Sequence, residues 1–111
     1  MKVKAVAKDV RISPRKVRLV TDIVKGKRAD EALTILNFLP TPAAKAVAKV
    51  IKSATANAEN NFQMSSADLK IADIFIDQGH TLKRARPKSR GRISPILKRS
   101  SHITVFVNEE E

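Results

Sequence analysis

Few residues in this 111-residue chain have types and spacings that could do covalent chemistry. Ser13-Pro14-Arg15-Lys16 has the spacing of a Ser-x-x-Lys nucleophile, in which a neighbouring amine takes the hydroxyl proton. The companion motifs of that chemistry do not occur, and a serine directly before a proline is better explained as a helix cap. Asp73 and Asp77 are four apart on a predicted strand and so share a side. Paired acid and base work would need a cleft that no other residues supply, and solvation at the surface explains both acids. His80 and His102 stand at mirrored positions around a basic stretch, but two imidazoles without cysteine or close carboxylates make a poor metal site. Packing at the base of that stretch, or contact with phosphate, suits them better. With glycine only at Gly26, Gly79 and Gly91, no Gly-rich phosphate loop is possible. The expectation is a protein with no catalytic residues, no metal and no cofactor: not an enzyme.

The chemistry that remains is recognition of polyanions. Between Asp77 and Glu109 there is no acid, while Lys83, Arg84, Arg86, Lys88, Arg90, Arg92, Lys98 and Arg99 all fall there. Charge of one sign at that density repels itself and cannot make a core, so the stretch should order only when phosphates neutralise it. These cations are spread over both limbs of the stretch and not along one alternating face. Gly91 can take a positive φ or admit a close RNA backbone. A second cluster, Arg11, Arg15, Lys16 and Arg18, lies where a predicted strand meets a helix start, near amides that favour anions. Arg15 and Arg18 are three apart and can share a side. Asn57 and Asn60 lie in an amide-rich run, Ser53 to Asn61, at a predicted helix end, where capping and RNA contact are both open readings.

The formal charge of +11 and pI near 10.5 agree with a phosphate-binding surface whose affinity falls with salt. Only Phe38, Phe62, Phe75 and Phe106 are aromatic, too few for a base-stacking platform, so backbone and shape recognition are expected. The absence of cysteine fits a reducing cytoplasm, and the apolar run after Met1 is too short for a signal peptide or membrane span.

The elements that must position these residues can be read from periodicity. The mix of β-branched, alanine and charged residues over Val3 to Arg11, with Val6, Val10 and Ile12 among them, suits a half-exposed first strand. Ser13-Pro14 should open a helix with Val17, Val20 and Val24 on one face, ended by Gly26. Asp30 and Glu31 mark the start of a short second helix that Pro40 stops. Thr41-Pro42 repeats the cap-and-proline device before a long helix in which Ala44, Val47, Ala48, Ile51, Thr55, Ala58 and Phe62 recur at helical spacing. Leu69 to Asp77 and His102 to Asn108 read as strands, with Ile103, Val105 and Val107 on one face of the second.

Their connection is far longer than a turn, so the hairpin should continue outward as a ribbon. Pairing centred near Arg90 would set Phe75 opposite Val105 and make an arm about 30 Å long at roughly 3.3 Å per residue. Such a ribbon is marginal in water and should move when free. Pro87 and Pro95 should make its pairing irregular. The expected architecture is α+β: three helices packed on a small antiparallel three-stranded sheet with a long protruding β-hairpin arm. Residues 1–111 form one domain, with 80–101 as the arm and the terminal glutamates as a solvated tail.

With these segments in place, the chain resembles the universal large-subunit ribosomal protein twenty-two family, bacterial type. Arg11-Ile12-Ser13-Pro14-Arg15-Lys16-Val17-Arg18 is similar to that family's opening block, and Ser53 to Asn61 to its helix-end block. Leu82-Lys83-Arg84, Gly91-Arg92 and Lys98-Arg99-Ser100-Ser101-His102-Ile103-Thr104-Val105 are similar to its arm. The resemblance implies a structural constituent of the large ribosomal subunit that organises ribosomal RNA, with a hairpin lining the nascent-peptide exit tunnel. It also implies that Lys88, Ser89, Arg90 and Gly91 form the tip, near the nascent peptide, and that the protein is a cytoplasmic monomer among neighbouring ribosomal proteins, away from membranes. Ile93-Ser94-Pro95 departs from the family pattern.

The RNA-binding set is therefore Arg11, Arg15, Lys16, Arg18, Asn57, Asn60, His80, Lys83, Arg84, Arg86, Lys88, Arg90, Gly91, Arg92, Lys98 and Arg99. The rival reading is a histone-like architectural DNA binder, whose dimers also grip with basic β-arms.

Overall fold

The first strand shows how local sequence and long-range pairing meet in this chain. In a computed structural model describing residues 2–65, 68–79, 82–87 and 93–109, with backbone alone for 82–87 and 93–98, β1 spans Val3–Val10. Its core side is Val3 and Ala5, joined by Ala7, while Val6 faces outward, 44% exposed. The strand is half-exposed, as its composition suggests, with Val10 and Ile12 packed on the core and Val6 outside it. Ala7 pairs with Ile103 and Val10 with Ser101, so Lys8 and Asp9 together oppose a single residue. Asp9 absorbs the extra length at φ 55, and the bulge turns Val10 and Ile12 back toward the core.

Helix α1 (Pro14–Val24) starts with Pro14 at its first position, where a missing N–H costs nothing. The carbonyl of Ser13 accepts from Lys16 and Val17, but its hydroxyl makes no capping bond, contrary to the expected side-chain cap. Val17, Val20 and Val24 are buried, as their spacing predicts, and Gly26 at φ +80 carries the chain out of the helix. The link to α2 (Ala29–Asn37) then runs along the sheet edge, where the Ile71 amide donates to the Lys27 carbonyl at 2.9 Å. That bond covers part of an otherwise open strand edge.

Helix α3 (Pro42–Phe62) opens with Thr41, whose hydroxyl accepts from the Ala44 amide at 3.2 Å. Ala44, Val47, Ile51, Ala54 and Ala58 are fully buried against the sheet and the shorter helices, and the alanines let backbones approach closely. Phe62, expected on this face, is 46% exposed. No asparagine ends the helix. Gln63 does so at φ 54, with the amides of Gln63 and Met64 both donating to the Ala58 carbonyl.

The sheet order is β1-β5-β2, all antiparallel, with β2 at Leu69–Gln78 and β5 at Ser101–Glu109 in the centre. Ile103, Val105 and Val107 are fully buried under the helices. Strand β2 changes phase: Leu69 and Ile71 are buried, then Ile74 and Ile76, because Ala72 is an extra residue between pairs 71/107 and 73/106. Phe75 therefore lies opposite Thr104, one residue from the expected Val105. On the outer face Phe75 and Phe106 meet edge to face, ring centroids 5.8 Å apart. Glu109 pairs with Leu69 in the ladder, so it belongs to β5 and not to a loose tail.

A separate two-stranded ribbon, β3 (Leu82–Pro87) with β4 (Ile93–Lys98), continues outward from β2 and β5, and the molecule measures 64 × 26 × 17 Å. Leu82 pairs with Lys98 and Pro87 with Ile93, a register centred on Arg90 as expected. The ladder is unbroken through Ala85 opposite Pro95, so neither proline makes it irregular. In a two-stranded ribbon every second N–H points away from the partner, and a proline at such a site removes no ladder bond. Ser101 lies in the three-stranded sheet, so the arm's root falls at Gly79 and Ser100, not at residue 101. Among the described residues, no helix is long and apolar enough to cross a membrane.

Candidate nucleic-acid interface

The turn after β1 sets the basic cluster. Ile12 donates to the Val10 carbonyl at 2.8 Å, folding the chain sharply, and the Ser101 hydroxyl donates to the Ile12 carbonyl at 2.6 Å. Those two bonds fasten Arg11 to the root of the arm. As a result Arg11, Lys16 and Arg99, remote in sequence, line one open cleft with Ile12, Ser13, Leu19, Val20, Thr41, Pro42 and Ala43. The cleft measures about 960 Å³ and, among the described residues, has no carboxylate in its wall. Arg11, Arg15, Lys16 and Arg99 are all exposed.

Arg18 is placed differently from Arg15. Its guanidinium donates to the Ile76 carbonyl at 3.0 Å, tying α1 to β2, so part of its donor fork serves the fold. Asn57 likewise reaches the Lys4 carbonyl at 3.5 Å and joins α3 to β1, whereas Asn60 is exposed. Asp73 pairs with Lys2 at 2.9 Å, and Asp77 is exposed opposite His102. Neither acid lines the cleft. Among the described residues, no three His, Asp or Glu gather where they could hold a metal.

At the arm's root, Nδ1 of His102 accepts from the Asp9 amide at 3.1 Å. Gly79 donates to the Ser100 carbonyl at 2.9 Å, and a Cβ on it would meet the Ser100 hydroxyl at 2.6 Å. Strands and arm are thus joined through a close approach at which any larger residue would force the Ser100 side chain to move. His80, the expected partner of His102, lies outside the described residues, as do Lys88, Ser89, Arg90, Gly91 and Arg92.

Lys83, Arg84, Arg86 and Lys98 sit on the described ladder. By its register Arg84, Arg86 and Lys98 fall on one face of the ribbon and Lys83 on the other, so these four are spread over both limbs and both faces. The sequence reading missed Leu19, 67% exposed in the cleft wall, and the Asp9 and Gly79 contacts. Leu19 gives a signal in principle, being an apolar residue off the buried stripe of α1.

A helical layer packs on a three-stranded sheet, a two-stranded ribbon stands apart from it, and a basic cleft lies at the ribbon's root. Comparison with known proteins gives this arrangement a lineage. Three strains of Dehalococcoides mccartyi, BAV1, CBDB1 and 195, each carry a relative called large ribosomal subunit protein uL22. Each is 63% identical to this chain over 107 residues, covering 96% of this chain and 98% of the relative. Residues 5–108 also match the family described as ribosomal protein L22p/L17e. Across sequence, fold and kinship, the chain belongs to the ribosomal protein L22p/L17e family.

Proposed function

We propose that this protein is a structural constituent of the large ribosomal subunit, which binds and organises large-subunit ribosomal RNA and lines the nascent-peptide exit tunnel with its β-hairpin. The observation that carries this reading is the ribbon of β3 and β4, which stands apart from the main sheet within an acid-free stretch. Such a ribbon gains little from its own contacts and much from phosphates on either side. Its cationic face would track RNA backbone, while the cluster at Arg11, Arg15, Lys16 and Arg18, with Asn57 and Asn60, would seat the body. Each phosphate neutralised releases counterions, so the fit is strongest at low salt.

The arm positions His80, Lys83, Arg84, Arg86, Arg92, Lys98 and Arg99 belong to the same proposed interface. The tip, Lys88, Ser89, Arg90 and Gly91, would meet tunnel RNA and the nascent peptide. Residues 1–111 act as one domain, a monomer among neighbouring ribosomal proteins in the cytoplasmic ribosome. The role is that of a scaffold and requires no turnover.

Crosslinking from position 90 in purified large subunits tests partner and place together, and contact with tunnel RNA is the expected result. Deleting residues 82–98 should impair incorporation and weaken its salt dependence. If both stayed unchanged, the arm would have no part in RNA binding. A dimer that prefers duplex DNA to folded ribosomal RNA would restore the histone-like alternative.

A further inference from the structure

The cleft at the root of the arm has a composition that phosphate tracking alone does not explain. Its lining combines the cations Arg11, Lys16 and Arg99 with the apolar side chains of Ile12, Leu19, Val20, Pro42 and Ala43. A surface that only follows an RNA backbone needs charge and hydroxyls, not an apolar floor. Leu19 makes the point sharply: it is 67% exposed, while Val17 and Val24 of the same helix are fully buried. An exposed leucine that shares its cleft with three cations is covered best by a ligand that is apolar in one part and anionic in another.

We propose that this cleft receives one unstacked nucleotide of ribosomal RNA, its base lying on Leu19 and Ile12 and its flanking phosphates held by Arg11, Lys16 and Arg99. This rests on the RNA-binding reading above and adds the form of the ligand. A nucleotide has the required two-part chemistry, and RNA offers unstacked bases at loops and bulges. Among the described residues no carboxylate lines the cleft, which favours that occupant over a basic or mixed-charge protein segment. At about 960 Å³ the space is of the size that small-molecule sites have.

No phenylalanine lines the cleft, so the base is covered by aliphatic side chains and by the flat face of a guanidinium. Hydroxyls are at hand for its edge. Ser13 makes no capping bond, and Thr41 uses its oxygen as an acceptor from Ala44, which leaves its O–H to donate. The tie between Ser101 and Ile12 means that the seat keeps its shape only while the root of the arm is in place.

The test is base-directed chemical probing of large subunits assembled with the wild-type chain, with Leu19→Glu, with Arg11→Ala, or with Lys25→Ala as a control. Leu19 and Arg11 are exposed, so both variants should fold, and co-sedimentation with the subunit verifies that they are incorporated. The expected result is one base protected by the wild type, with reactivity rising about tenfold for Leu19→Glu, the scale of losing one leucine-sized apolar contact. Arg11→Ala should expose the same base, and Lys25→Ala should not. A photo-crosslinker at position 19 should reach that same nucleotide. If Leu19→Glu changes no base reactivity while the protein still co-sediments and protects RNA backbone, the nucleotide seat is refuted and RNA binding stands. A crosslink from position 19 to a neighbouring protein refutes the seat in favour of a protein occupant. Failure of the wild-type chain to protect any RNA overturns both this proposal and the function on which it rests.

Discussion

The backbone amide of Asp9 donates to Nδ1 of His102 at 3.1 Å, and it can do so because Asp9 stands at φ 55, with its N–H turned out of the regular β1 ladder. One bulge thereby sets the face of Val10 and Ile12, and one imidazole holds the bulge. His102→Leu removes the acceptor and should cost about 1 kcal/mol in urea denaturation. Asp9→Val places a β-branched side chain at positive φ and should cost about 1–2 kcal/mol. Because both changes act on one contact, the double variant should lose less than their sum.

Two glycines separate conformational from steric demand. Gly26 is at φ +80 with open space around its Cα, so Gly26→Ala should cost about 1 kcal/mol through backbone strain alone. At Gly79 an added Cβ would press on the Ser100 hydroxyl at 2.6 Å and the His102 ring at 3.2 Å. Gly79→Ala should cost about 1–3 kcal/mol. Thermal denaturation measures both losses. Only Gly79→Ala should also lower incorporation into large subunits, since it shifts the root of the arm.

Stability in the body should follow burial and not charge pairing. Ile51 has no exposed surface beneath the sheet, and Ile51→Ala should lose about 2–5 kcal/mol by emptying a packed site. Phe38 is 82% exposed, and Phe38→Ser should stay within about 0.5 kcal/mol of wild type. The Lys2–Asp73 pair is short at 2.9 Å but open to water, so Asp73→Asn should cost less than about 1 kcal/mol. Urea midpoints at a common salt concentration rank the three.

RNA affinity measured against salt should count the arm's phosphate contacts. Arg84→Ala and Arg86→Ala should each reduce the log–log salt slope by about 0.7–0.9 if each guanidinium holds one phosphate. Lys25→Ala, away from the proposed interface, should leave the slope unchanged. Filter-binding titrations with large-subunit RNA at several salt concentrations read the difference directly.

Much of the architecture follows from local rules that the chain states openly. The stripe of Ala44, Val47, Ile51 and Ala58 makes α3 because helical geometry repeats every 3.6 residues whatever surrounds it. Pro14 and Pro42 open helices, and Gly26 closes one, through backbone constraints of their own. The charge of the arm, the matched strands and the ribbon's register about Arg90 were likewise open to a sequence reading. Other features depend on pairing between distant segments. Nothing near Asp9 or Ala72 announces that an extra residue there reverses the strand's faces, because a bulge exists only relative to the partner strand. Nothing in Arg11 or Lys16 points to Arg99. Those three side chains share a cleft because the Ser101 hydroxyl reaches the Ile12 carbonyl across the folded sheet, a contact that comes into being only when β1 and β5 are side by side.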